Sequence, residues 1–230
     1  MGTVVESDIR NDQENNYSKF NNVNINLRDE VAEGFQTDEE LIKDYVINNN
    51  EQSFNLILKK YENIVFGLAY RMLGNHYLSE EVMQEVFLIL TKKLSTFREE
   101  SKFSTWLYRV IVNVCYMYRK SEYKHNNNLR LDQDIKDDCN SQYIDYLEDS
   151  HNPSPYEDSK SSEIVEMVEK ELINVPEKYR VVFILRDVEG LTNPEVAKVL
   201  GITLAAVKSR ILRARRFLKS RLQHKLQYES

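Results

Sequence analysis

Lys208, Arg210, Arg213, Arg215, Arg216, Lys219, Arg221 and Lys225 stand close together near the end of the chain with no acidic residue between them. Cations clustered in this way neutralise phosphates, so the chemistry they offer is binding of a nucleic-acid backbone. The elements that must position them are read from TNPEVAKVLGITLAAVKSRILRARR, Thr192 to Arg216. Pro194 suits a first helical turn, where its missing N–H costs nothing. Gly201 can end that helix in the left-handed conformation, and the Thr203 hydroxyl can cap the next one. Val196, Ala197, Val199, Leu200, Ile202, Val207 and Ile211 supply the apolar contacts that lock two short helices together. This is the pattern of a helix-turn-helix, whose second helix enters the DNA major groove. An ordinary helical hairpin with a solvated basic face shares the composition, and the density of base favours nucleic acid.

Two further constellations lie upstream. The segment Ser79 to about Leu94 reads as a helix with Val82, Val86, Ile89, Leu90 and Leu94 on an apolar face. Glu81, Gln84, Glu85 and Leu88 form a second stripe at i, i+3, i+4, i+7, which taken alone is a solvated face. After a loop at 95–101, a helix from Ser104 to about Lys120 places Phe103, Leu107, Val110, Val114 and Met117 toward a core. Thr105, Arg109, Val112, Asn113, Tyr116, Arg119 and Lys120 fall on its other side. Aromatic rings and an amide beside cations suit single-stranded DNA, because unstacked bases need stacking partners and edge hydrogen bonds.

The chain of 230 residues carries a net charge of −6, an average that hides segregation. Acid collects in the first 40 residues and between Asp132 and Asp158; base collects from Arg119 to Arg130 and in the last 25 residues. Charge polarised like this points to separate surfaces for separate partners. The two cysteines, Cys115 and Cys139, make neither a disulfide framework nor a metal knuckle, and Cys115 reads as a packed thiol. His76, His125, His151 and His224 lack ligand-like spacing. No nucleophile–base pair, metal cluster or phosphate-cradling glycine loop is evident, so the expectation is a non-enzyme without cofactor, metal or catalytic residues. No apolar run is long enough to span a bilayer and no signal peptide is evident, which implies a cytoplasmic protein without membrane insertion of its own.

The predicted fold class is all-α: two small helical domains joined by an acidic flexible linker, the C-terminal one carrying the helix-turn-helix. Residues 1–36 read as a disordered acidic, Asn-rich tail, 37–123 as the first domain, 124–159 as the linker and 160–230 as the second domain.

Taken in order, SEEVMQEVFLILTKKL, FREESKFSTWLYRVIVNV and PEKYRVVFILRDVEGLTNPEVAKVLGITLAAVKSRILRAR resemble the extracytoplasmic-function group of bacterial RNA polymerase sigma factors. The resemblance covers about two thirds of the chain, as regions 2 and 4 of that family. It implies that Glu81, Gln84, Glu85 and Leu88 dock on a coiled coil of the polymerase's largest subunit. Position 81 is more often Asp in the family; Glu keeps the charge and extends its reach. It implies that Phe97, Trp106, Tyr108 and Asn113 capture an unstacked base of the minus-ten element, next to Tyr116, Arg119 and Lys120. Phe97 and Trp106 read equally well as core. It assigns Thr203, Leu204, Ala205, Ala206, Lys208, Ser209, Arg210 and Arg213 to the minus-thirty-five element. Lys208 and Ser209 are the base-edge candidates, and Arg210, Arg213 and Arg216 suit phosphate or surface partners. Ala205-Ala206 replaces a frequent Gly-Thr, so promoter preference does not transfer.

The implied partners are core RNA polymerase and promoter DNA, both duplex and melted, with an anti-sigma protein as a further candidate. The acidic linker, Asp132 to Asp149, either enters the polymerase cleft, as the family's connector does, or serves as a plain solubilising tether. The rival to an alternative sigma factor that directs transcription initiation is a stand-alone helix-turn-helix regulator. Such a regulator would bind duplex DNA without polymerase and would have no use for the Ser79–Leu94 stripe.

Overall fold

The computed structural model describes residues 37–97, 102–125, 165 and 167–228. The N-terminal tail, the loop at 98–101 and most of the acidic linker therefore lie outside the described residues. Among those described there is no strand, and the all-α class expected from the sequence is what the structure shows. The helices are α1 (Asp38–Asn48), α2 (Glu51–Leu73), α3 (His76–Lys93), α4 (Phe103–His125), α5 (Glu177–Phe183), α6 (Asn193–Leu200) and α7 (Leu204–Tyr228), with a further helical stretch at 167–172. They gather into two compact units, Met1–Tyr70 with Asn75–Val114, and Arg71–Gly74 with Cys115–Ser230.

In the first unit α1 starts behind a capping box. Thr37 Oγ1 accepts from the Glu40 N–H at 3.2 Å, and Glu40 returns a bond to the Thr37 N–H at 3.1 Å. Asp38 is then fixed by Lys60 Nζ at 2.7 Å and by the Tyr61 hydroxyl at 2.6 Å, both from α2. The core is built from Leu41 and Ile42 of α1, Ile57, Val65 and Leu68 of α2, Val82, Val86 and Leu90 of α3, and Phe103, Leu107 and Ile111 of α4. Each such side chain contributes about 2 kcal/mol on leaving water. Helix α3 begins three residues before the Ser79 expected from the sequence. The Asn75 side-chain oxygen accepts from the Leu78 N–H at 3.2 Å and caps the helix there.

The buried arc of α4 is turned from the one expected. Thr105, Val112 and Cys115 are buried with Leu107, Ile111 and Val114, whereas Met117 is 53% exposed and Val110 only half-buried. A helix covered on more than one flank buries a wider arc than a simple two-sided pattern allows. Burial pushes the Cys115 thiol up to about 12, so it is a packed, inert thiol, as the sequence indicated.

In the second unit α5 runs into a π-turn at Ile184–Val188, where the Glu189 N–H reaches the Ile184 carbonyl at 2.9 Å. The wider turn directs Arg186 Nε to Asn193 Oδ1 at 3.2 Å and presents Asp187 to Arg215 of α7 at 2.7 and 2.8 Å. Thr192 and Glu195 form a second capping box ahead of α6, and Gly201 ends that helix at φ 65°, a conformation that strains any residue with a Cβ. Thr203 Oγ1 accepts from the Ala206 N–H at 3.2 Å and starts α7. Val196, Val199, Val207, Ala214 and Leu218 are buried, so the two helices of the predicted helix-turn-helix share one core.

Candidate nucleic-acid and protein interfaces

On α3 the apolar and polar stripes separate as the spacing required. Val82, Val86 and Leu90 are fully buried, Glu81 and Glu85 half-buried, and Gln84 exposed with Leu88 at 51%. Neither Glu81 nor Glu85 has a cation partner among the described residues. Tyr77, 66% exposed, precedes Glu81 by one turn and extends the same face, a residue the sequence reading missed. The spacing Tyr77, Glu81, Gln84, Leu88 (i, i+4, i+7, i+11) carried the signal. A row of acid and amide bracketed by a tyrosine and a leucine suits a basic, partly apolar protein surface.

The aromatic residues around α4 divide into two groups. Phe97, Phe103 and Trp106 form a cluster with ring centres 5.7 to 5.8 Å apart. Phe103 is fully buried, whereas Phe97 and Trp106 are half-buried and keep part of their surface outside. Tyr108, expected at the same site, is buried in the core. Asn113 is exposed.

Further along α4, Lys120 is exposed and Tyr116 is 36% exposed; partial desolvation of its phenol, then the Glu177 carboxylate, pushes it up to about 12. It remains a neutral hydrogen-bond donor with an aromatic face at ordinary pH. Arg119 is already engaged, with Nε 3.5 Å from Glu177 and a bond to the Met72 carbonyl at 3.4 Å.

The basic run of α7 is less uniform than it looks in the sequence. Arg213 donates to the Tyr179 hydroxyl at 3.0 Å and lies 5.7 Å from that ring's centre. Arg215 is clamped by Asp187. Arg221 and Lys225 meet Glu171 at 3.0 and 2.7 Å. Lys208, Arg210, Arg216 and Lys219 carry no carboxylate partner among the described residues, and they are the cations available to phosphate. At the helix tip Thr203, Leu204, Ala205 and Lys208 are exposed, while Ala206, Ser209 and Arg210 are half-buried. Ser209 Oγ donates to the Ala206 carbonyl at 3.1 Å. A sequence shows which residues are basic; it does not show which find an acid dozens of residues away.

Lys225 first, with Arg221 and Asn174, holds the Glu171 carboxyl down at about 2 against the cost of its burial. A depressed carboxylate stabilises the fold above the ordinary carboxylate range, and that contribution is lost as pH falls from there through about 2. Glu171→Gln should cost about 1–3 kcal/mol at pH 7. The deficit should shrink as pH falls below about 4.5, where the unfolded parent takes up a proton that its folded carboxylate does not, and should vanish near pH 2; urea unfolding across pH measures this.

A family model for sigma-70 region 2 matches residues 57–125, and one for sigma-70 region 4 matches residues 166–218. The sigma-E factor of Haemophilus influenzae, an ECF RNA polymerase sigma factor, is 31% identical over 189 residues, spanning 81% of this chain and 96% of that protein. This chain belongs to the extracytoplasmic-function group of the sigma-70 family. SigW of Bacillus subtilis, another ECF sigma factor, is 29% identical over 180 residues, spanning 77% of this sigma factor and 93% of the relative.

Among solved structures, the sigma factor RpoE bound to the anti-sigma factor NepR from Bartonella quintana superposes with a TM-score of 0.54 at 18% identity, over 77% of this chain and 98% of that one. CnrH bound to the cytosolic domain of CnrY gives 0.55 at 21%, over 82% and 99%. At these identities the likeness is one of fold. The residues singled out on α3 and α4 all fall inside the region 2 match, and those from Thr203 to Arg213 inside the region 4 match.

Proposed function

We propose that this sigma factor docks on core RNA polymerase through Glu81, Gln84, Glu85 and Leu88, with Tyr77 at the edge of the same face. Phe97, Trp106 and Asn113 then hold an unstacked base of the minus-ten element, and Tyr116 and Lys120 follow the strand. Thr203, Leu204, Ala205, Ala206, Lys208, Ser209 and Arg210 face the minus-thirty-five element, with Arg213 acting from its place against Tyr179. The observation that carries this reading is the α3 stripe, with Gln84 and Leu88 exposed and Glu81 and Glu85 half-buried without a cation partner among the described residues, in a chain that also carries a helix-turn-helix. A stand-alone regulator has no task for that stripe.

The protein is on this reading an initiation factor and not an enzyme, working in the cytoplasm with polymerase and promoter DNA. An anti-sigma protein is a further partner, a proposal supported by the two structural neighbours, each solved with a partner bound. Residues 37–123 and 160–230 are the proposed functional domains. They differ from the compact units, which place 71–74 and 115–125 with the C-terminal residues.

Asn113→Ala tests the base-capture step. Loss of about 1 kcal/mol of hydrogen bonding should lower open-complex formation about fivefold and leave occupancy of the upstream element unchanged. Permanganate reactivity of melted thymines in holoenzyme complexes measures the first, and footprinting of the upstream element the second. Equal reactivity in parent and variant excludes Asn113 from base capture.

A further inference from the structure

The tip of α7 is oddly apolar for a surface surrounded by base. Leu204 is 47% exposed and is the only strongly exposed large apolar side chain from Gly190 to Lys225. Ala205 beside it is exposed too, and Lys208 lies one turn on along the same face. The nearby hydroxyls are engaged by the helix's own backbone: Thr203 Oγ1 accepts from the Ala206 N–H, and Ser209 Oγ donates to the Ala206 carbonyl. The first turn therefore presents hydrocarbon at the place where a recognition helix meets base edges. Its occupant is fixed by charge. Helix α7 contains no acidic residue, and Lys208, Arg210, Arg216 and Lys219 have no carboxylate partner among the described residues. An anionic duplex fits such a face, whereas an apolar protein surface would leave those cations desolvated.

Within the major groove only thymine displays a methyl group, and small apolar side chains read it by contact. We propose that Leu204, supported by Ala205, is a specificity-determining residue that packs on a thymine C5-methyl in the upstream promoter element. This rests on the assignment of α7 to that element. It goes beyond it by naming the base feature read and the side chain that reads it. Burying a methyl is worth about 0.8 kcal/mol, which is about fourfold in affinity.

Holoenzyme assembled from the full chain and core polymerase is used to enrich duplexes randomised in the upstream element, with the downstream element held constant. Each thymidine of the enriched duplex is then replaced in turn by deoxyuridine, which removes only the methyl. At one thymidine the parent holoenzyme should lose about fourfold, and holoenzyme with Leu204→Ser should bind both duplexes equally. Serine is tolerated in a first helical turn, so unchanged helix content is the control for folding. A deoxyuridine penalty that persists in Leu204→Ser, or enrichment without any methyl-sensitive thymidine, overturns the methyl contact and leaves the upstream assignment standing. Failure to enrich any upstream sequence overturns both.

Discussion

Reversing the charge of Glu81 and Glu85 together, as Glu81→Lys with Glu85→Lys, abolishes association of this sigma factor with core polymerase and leaves its helix content unchanged. The fold tolerates the exchange because neither carboxylate has a partner among the described residues. Half-buried carboxylates that reach solvent and make no ion pair contribute about 0–1 kcal/mol to stability. The i, i+4 pair is like-charged before and after, so the small repulsion along α3 keeps its sign and size. The interface has no such tolerance. Turning an attractive charge into a repulsive one costs about 2–5 kcal/mol per contact, and two contacts move affinity by well over a hundredfold. Gel filtration of the variant with core polymerase measures this. Co-elution equal to that of the parent would move the docking surface off this stripe.

The helix-turn-helix was open to reading because its signals are local. Pro194, Gly201 and Thr203 each act within one turn, and the structure places them in the helix start, the left-handed end and the cap assigned to them. The stripe of α3 was legible for the same reason, since a solvated face and a core face differ by spacing alone. Its start was not, because Asn75 caps through a side-chain bond that competes with the equally plausible Ser79.

What depends on distant partners stayed hidden. Arg215 finds Asp187 across 28 residues, and Arg221 finds Glu171 across 50. The outward turn of Met117 and the burial of Val112 are set by the elements packed around α4. The π-turn has no residue signature, so its effect on Arg186 and Asp187 could only be seen in three dimensions. These differences alter the candidate site itself. Arg213, expected to meet phosphate or a surface partner, is held by Tyr179, Arg119 of the expected minus-ten set is held by Glu177, and Tyr108 lies in the core.

The two proposed DNA-facing surfaces are expected to act together only on polymerase. Each is small. The upstream one has four cations without carboxylate partners among the described residues, Lys208, Arg210, Arg216 and Lys219, and the proposed downstream one takes a melted strand, which duplex DNA does not offer. Two weak contacts held at a matched distance gain about 10²- to 10⁴-fold over either alone, and polymerase supplies that distance. The measurement is promoter affinity, across salt, of the free full chain and of the holoenzyme. The free chain should bind at least about a hundredfold more weakly, with a salt slope near −4, the value for four released counterions. Tight, sequence-specific binding by the free chain, equal to that of the holoenzyme, would contradict the account and favour a regulator that acts without polymerase.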